Sequence, residues 1–281
     1  MKLIADAGST KTDWRLLNSE GIVIGTFESG GLNPIVFDED TLKKNIARSG
    51  ELFDFVDSIS EVHLYGAGTD EPNAQSRLHE ILSGVFDKAT IYIHDDLLAA
   101  ARATAGKNPG LVVILGTGSN SGYYDGKKIK KTVGHFGYVL MDDASGNWFG
   151  KQLIRDYYFE KMPQALRRKF KAKYNLQENY IKTNVYQSHQ PNAFLASYSL
   201  FMHENYNERY IKKLLLKGFT EFMENEMYAY RQFKDELPVH FSGSIAFFYQ
   251  KELREAVKKT GWKLGLIIRK PLDYLINYHV T

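Results

Sequence analysis

Three clusters of small, hydroxyl and acidic residues carry the chemistry of this 281-residue chain. The first, Asp6-Ala7-Gly8-Ser9-Thr10-Lys11-Thr12, closes a short apolar run and offers a carboxylate, unhindered backbone amides, hydroxyls and an ammonium. A nucleotide phosphate tail needs those groups: a charge that organises a metal, hydrogen-bond donors and a counter-charge. The second, Gly116-Thr117-Gly118-Ser119-Asn120-Ser121, comes directly after an aliphatic run. Its two glycines let backbone approach phosphate closely, and Thr117, Ser119 and Asn120 supply donors. The third is Asp142-Asp143-Ala144-Ser145, behind the glycine-rich Gly134-His135-Phe136-Gly137. Helix capping and the helix dipole account for Asp143 and Ser145 there, but not for the upstream glycines. A further acidic pair, Asp95-Asp96, opens an alanine-rich stretch, and capping uses only one of the two.

The elements that position these clusters can be read from periodicity. Residues 14–17 and 22–27 read as strands around the turn Ser19-Glu20-Gly21, so the first loop joins two strands. A P-loop requires GxxxxGK[ST] between strand and helix, and a dinucleotide site requires GxGxxG there; neither occurs. After the loop Gly30-Gly31-Leu32-Asn33-Pro34, residues 41–55 show helical spacing, 61–65 a strand, 74–86 a helix, 90–93 a strand and 111–115 an almost wholly aliphatic strand. The alternation predicts a mixed α/β sheet with helices on its faces. Residues 121–124 and 127–131 flank Asp125-Gly126 as a hairpin, so strand, loop and hairpin repeat the arrangement of residues 1–27. That pseudo-duplication predicts a two-lobed protein with a cleft between the lobes. From Ser145 to about Tyr230 the chain reads as mainly helical, with a polar break near residues 188–192. It returns to strand at 239–241 and 264–268 and closes with a helix from Pro271.

The chain exceeds the usual single-core size, which predicts two domains. It is 43% apolar and 25% charged, the balance of a water-soluble protein. No apolar run of about 18 residues is present, and the start of the sequence has no basic and apolar leader, so a cytoplasmic protein without membrane contact is expected. Cysteine is absent, which excludes disulfides and cysteine-held zinc or iron-sulfur clusters. The formal charge of +3 is small for this length. Arg167-Arg168-Lys169 and Lys171-Ala172-Lys173 read as solvated helix faces, not nucleic-acid contacts.

The first loop resembles the first phosphate motif of the ATPases shared by actin, heat-shock chaperones and sugar kinases. The ordered set DAGSTKTDW, DDLLAAARA, GTGSNS, GHFGYVLMDDASGNWFG, FSGSIA and RKPLDYLINYH resembles the N-acetylglucosamine kinase-like branch of the BadF/BadG/BcrA/BcrD-type ATPases. The resemblance covers most of the chain. It implies an α/β, two-lobed actin-like ATPase (ribonuclease H-like) fold with mixed five-stranded sheets and helices. The lobes would be residues 1–115 and 116–270, the second with a helical insertion, and the closing helix of about 271–281 would pack on the first.

The resemblance implies a kinase that uses ATP and Mg2+ on a small-molecule amino sugar, N-acetylglucosamine or its lactyl ether N-acetylmuramic acid; a homodimer is left open. Asp6, Gly8, Ser9, Thr10, Lys11, Thr12, Gly116, Thr117 and Gly118 would hold the ATP phosphates, with Asp6 organising magnesium through water. Asp96 would be the catalytic base, because Leu97-Leu98-Ala99-Ala100 succeeds it as small and apolar residues succeed the family's Asp; Asp95 is the alternative. Gly243 and Ser244, in Ser242-Gly243-Ser244-Ile245, would hold adenosine. Asn33, Asp96, Thr117, Gly118, Asn120, Phe136 and Asp142 would hold sugar. Phe136 stands in place of a family tryptophan, His135, Met141 and Ala144 in place of glycines, and Asp143 in place of a glutamate, so the sugar pocket departs from the family more than the phosphate loops do. Two other functions are open: a nucleotide- or sugar-binding sensor without catalysis, and the dehydratase-activating branch of the family. The second needs a cysteine-held cluster, which this chain cannot supply by itself.

Overall fold

The computed structural model describes residues 1–130, 132–188 and 190–280. It divides into two compact units: Met1–Lys107 with Lys270–Thr281, and Asn108–Arg269. The division falls upstream of the expected edge at residue 115. The strand Gly110–Leu115 pairs only within the second sheet and so belongs to the second unit.

In the first unit, β1 (Lys2–Ala7), β2 (Lys11–Leu17) and β3 (Val23–Gly30) form an antiparallel meander, and β4 (Glu61–Gly66) and β5 (Thr90–Asp95) add in parallel on the other side of β1. The sheet order is β3-β2-β1-β4-β5. Alternation in β1 sends Leu3 and Ala5 into a core with Trp14, Leu64, Leu82 and Phe86. The helix Pro72–Val85 contributes Leu78, Ile81 and Leu82 at helical spacing to that core.

The second unit repeats the plan with β6 (Gly110–Leu115), β7 (Ser119–Tyr124), β8 (Ile129–Lys130), β9 (Pro238–Ser242) and β10 (Lys263–Ile268), in the order β10-β9-β6-β7-β8. Here too the middle strand pairs antiparallel with the next and parallel with the later one. The duplication read from the sequence is therefore a duplication of topology. Leu111, Val113 and Leu115 on one face of β6 pack with Phe149, Phe219, Phe222 and Phe241. The segment between β8 and β9 is the expected helical region; its helices Gly146–Tyr158 and Arg209–Asn225 supply much of that core.

One helix differs from expectation. Residues 41–55 do not form a single helix: Glu39–Ala47 is α-helical and Gly50–Ser58 is a 3-10 turn sequence, broken at Arg48-Ser49. Gly50 adopts φ 55°, which stops α-helical propagation where apolar periodicity alone continues. The Lys131 end of the expected hairpin strand, His189 in the polar break and Thr281 at the end of the closing helix lie outside the described residues. Among the described residues no helix is long and apolar enough to cross a membrane.

Candidate active site

In the first unit the three parallel strands end level, with Ala7, Gly66 and Asp95 in register. Open α/β sheets gather their ligands beyond such carboxyl ends. The loop Gly8-Ser9-Thr10 leaves β1 there, and the helix Asp96–Ala105 starts there. Asp95 caps that helix, its Oδ1 accepting the Leu98 N–H at 2.7 Å. The two adjacent acids thus differ in role: Asp95 meets the capping requirement and Asp96 occupies the first helical turn.

Asp6 lies opposite Asp13 across the β1/β2 pair. Burial, the Asp96 carboxylate and Asp13 together push Asp6 up to about 6, against the pull of Lys270 and Lys11. Asp13 behaves in the opposite way. Burial acts to raise its carboxyl, but hydrogen bonds from Lys11 Nζ at 2.8 Å and Lys270 Nζ at 2.9 Å outweigh burial and lower it. Lys11 Nζ also donates to Glu28 Oε2 at 2.6 Å, so its ammonium already serves two carboxylates.

Two of the expected ligand residues brace the loops. Thr12 is fully buried and donates its hydroxyl to the Gly30 carbonyl at 3.0 Å, so it ties β2 to β3. Asn33, 8% exposed, donates from Nδ2 to Ser9 Oγ at 2.9 Å and accepts the Ile35 N–H at Oδ1, 3.0 Å. The adjacent Leu32 N–H reaches the Gly8 carbonyl at 3.1 Å. The glycine-rich loop after β3 therefore holds the first phosphate-type loop in shape. Thr10 is exposed, and the Gly8 N–H closes the turn on the Lys11 carbonyl at 2.9 Å.

The second unit has its own convergence at the ends of β6 and β9. Gly116 N–H bonds the Gly118 carbonyl at 2.9 Å, making a tight turn with the Thr117 side chain exposed. This turn is docked on the start of the helix Gly146–Tyr158: Gly146 N–H donates to Gly116 O at 2.8 Å and Asn147 N–H to Thr117 O at 3.0 Å. Ser145 caps that helix, as its position ahead of it predicts. Gly243 lies against the same turn, with φ 112°; a Cβ on it would come within 2.3 Å of the Leu115 carbonyl oxygen. Only glycine combines that conformation with so close an approach. Ser244, exposed, begins the short helix Ser244–Phe248 beside it.

Asp142 is the centre of this half. It is 4% exposed, has φ 67°, and uses both carboxylate oxygens on the protein: Oδ1 accepts the Ser119 N–H at 3.0 Å and Oδ2 the Asn147 Nδ2 at 2.7 Å. A Cβ on Gly118 would stand 2.9 Å from each of those oxygens, so the glycine is what admits the carboxylate. Asp142 thereby clamps the loop to the helix. Phe136 is 67% exposed and lies over Gly134, and Asn120 accepts the Ser121 N–H at Oδ1, 3.0 Å.

Sequence reasoning missed Asn147, fully buried and bonded to both Asp142 and the Thr117 carbonyl. Its position just after the capping Ser145 was the available signal. It also missed Lys270 on Asp13 and Glu226, which accepts a hydrogen bond from Ser121 Oγ across 105 positions of sequence; no local pattern marks either.

No protein-family model matches the chain, and no curated protein matches it. Solved structures do. A candidate N-acetylglucosamine kinase from Porphyromonas gingivalis is 35% identical over 100% of this chain and 99% of its own, with a TM-score of 0.91. A candidate N-acetylglucosamine kinase from Chromobacterium violaceum is 18% identical over 99% and 98% of the two chains, TM-score 0.69. A ROK-family glucokinase from Streptomyces griseus, solved with glucose and AMPPNP, is 14% identical over 99% and 97%, TM-score 0.55. The last two share the fold. The duplicated mixed sheets, each with a loop at its strand ends, define an actin-like sugar kinase. The chain belongs to the N-acetylglucosamine kinase-like branch of that superfamily.

Proposed function

We propose that the protein transfers the γ-phosphoryl group of ATP to a hydroxyl of an N-acetylated amino sugar, N-acetylglucosamine or N-acetylmuramic acid, with Asp96 as general base. The observation that supports this is the placement of Asp96: it opens the helix at the level carboxyl ends of the three parallel strands, next to the capping Asp95. Asp96 acts electrostatically on Asp6, which stands at the end of β1. A proton taken from the attacking hydroxyl resides on the Asp96 carboxylate, a contribution of about a hundredfold or more.

Magnesium fits this donor set. Among the described residues no group of three acidic, histidine or cysteine side chains could hold a metal alone. Magnesium asks for less than that, since it keeps several waters and takes the rest of its ligands from substrate phosphates and one or two carboxylates. Asp6, crowded by Asp96 and Asp13, is the carboxylate whose charge a cation relieves. When bound, magnesium·ATP supplies the phosphoryl group and the positive charge that offsets it. The phosphate contacts of this reading come from Gly8 to Thr12 and Gly116 to Gly118, whose turns the Gly8 and Gly116 amides close. Gly243 and Ser244 leave room for adenosine beside the second loop, because neither presents a bulky side chain.

The test is ADP release from magnesium·ATP in the presence of N-acetylglucosamine, N-acetylmuramic acid, glucosamine, glucose or buffer. Stimulation by an N-acetylated sugar is expected. Saturable sugar binding with no ADP release from any acceptor would assign the protein to sensing instead.

A further inference from the structure

Behind the Asp142 clamp the second unit keeps a group of polar atoms that neither the phosphate loops nor the helix cap explains. Ser119 and Ser121 alternate with Asn120 along β7, so both point to one face of the sheet. Ser121 Oγ donates to Glu226 Oε1 and approaches Tyr230 OH at 3.3 Å; Tyr230 OH donates to the Ser121 carbonyl at 3.1 Å. Ser119, two residues away and 4% exposed, has its N–H on Asp142 while its Oγ has no protein partner. Asn147, fully buried, donates to Asp142 and has an unpartnered Oδ1. Buried polar atoms without partners are rare, and two beside one carboxylate group mark a place where something else hydrogen-bonds.

The carboxyl groups around them act on one another. Burial raises Glu226, the Ser121 hydrogen bond opposes that, and Asp143 and Asp142 raise it further. Burial likewise raises Asp143, with Lys151 pulling it down and Asp142 pushing it up. Lys151 acts on Asp143; burial lowers the lysine and its Nζ donates to the Tyr138 carbonyl.

We propose that Glu226, aligned by Ser121 and flanked by Asp143, is a specificity-determining residue that accepts hydrogen bonds from the acceptor's hydroxyls and turns away acceptors bearing a carboxylate. Carboxylates are strong acceptors for sugar hydroxyls, and the orphaned Ser119 hydroxyl and Asn147 carbonyl complete a polar lining for a neutral polyol. An anionic substituent would meet Glu226 and Asp143, which already act on each other. This rests on the sugar-kinase function and narrows it to N-acetylglucosamine over its lactyl ether.

The test is calorimetric titration of both sugars into the full-length protein and its Glu226→Gln variant, with ADP release measured in parallel. The wild type should bind the neutral sugar at least about tenfold more tightly than the lactyl ether. Glu226→Gln should weaken neutral-sugar binding about tenfold, raise KM more than it lowers kcat, and narrow the gap between the sugars. Gln keeps the size and an acceptor for Ser121; Ser121→Ala, which frees Glu226 without neutralising it, should give a smaller change in the same direction. Equal or tighter binding of the lactyl ether by the wild type overturns the inference, as does an unchanged pair of affinities in Glu226→Gln. Binding in the expected pattern without ADP release overturns the kinase function and leaves this inference standing; absence of any sugar binding overturns both.

Discussion

Replacing Asp142 by Asn separates a residue that holds sugar from one that holds the site together. Asn matches the size of Asp and tolerates the left-handed backbone at φ 67°, so the substitution changes charge and one acceptor with little strain. In the native protein Oδ1 takes the Ser119 N–H at 3.0 Å and Oδ2 takes Asn147 Nδ2 at 2.7 Å, at a residue only 4% exposed. An amide has one acceptor oxygen, so one of those buried donors must face an NH2 group, and the bond that remains loses its charge assistance. A hydrogen bond to a charged group contributes about 1.5–3 kcal/mol, which sets the expected loss at about 2 kcal/mol. For a unit of this size each kcal/mol is worth roughly 2–4 °C, so the melting temperature should fall by roughly 4–8 °C. Fluorescence-monitored thermal unfolding reads that shift, and limited proteolysis should locate the loosened region between Gly116 and Asn147. KM for ATP and for sugar should rise together, because the same clamp shapes the loop at the end of β6. An unchanged melting temperature with a raised sugar KM alone would refute the reasoning, since it would mean that the carboxylate serves ligand and not protein.

Asp96→Asn should lower kcat by about a hundredfold or more while leaving ATP and sugar binding in calorimetry near wild type; near-normal turnover would exclude it as the base. Gly243→Ala should destabilise the protein by about 2 kcal/mol or more and raise the KM for ATP before that for sugar, because the added Cβ enters the space of the Leu115 carbonyl at 2.3 Å and favours a different backbone conformation. His94 and His279 are lowered to about 3, first by burial and then by neighbouring positive and imidazole groups. Each is neutral in the folded first unit but titrates near 6.5 when unfolded, so the unfolded chain binds more protons as pH drops. Their contribution is complete above about pH 6.5 and is lost as pH falls toward 3. Urea unfolding at about pH 7.5 and about pH 5 should show this as a lower midpoint in acid, and His279→Gln should reduce the difference.

Much of the local geometry of the candidate site could be read from residue order because turns and helix caps depend on local chemistry. Small residues after an apolar strand, the Ser145 cap and the cap-plus-acid pair Asp95-Asp96 are each satisfied within a few residues of sequence, and they recur in the structure at their expected positions. The braces were not legible for the complementary reason. Thr12, Asn33 and Asp142 have the same residue types as ligands, and whether their polar atoms face a substrate or the protein depends on partners at Gly30, Ser9, Ser119 and Asn147.

The sequence by itself determined the strand and helix periodicities, the turn chemistry of both loops, the exclusion of cysteine-based cofactors and the family. Those are properties of neighbouring residues, set by backbone sterics and by composition. Tertiary structure decided which polar side chains support the loops. It set Lys270 against Asp13, Glu226 against Ser121, and Asp142 between a loop and a helix. A lone pair can be filled by any donor the fold brings within about 3 Å, and nothing in the spacing of residues along the chain records which donor arrives.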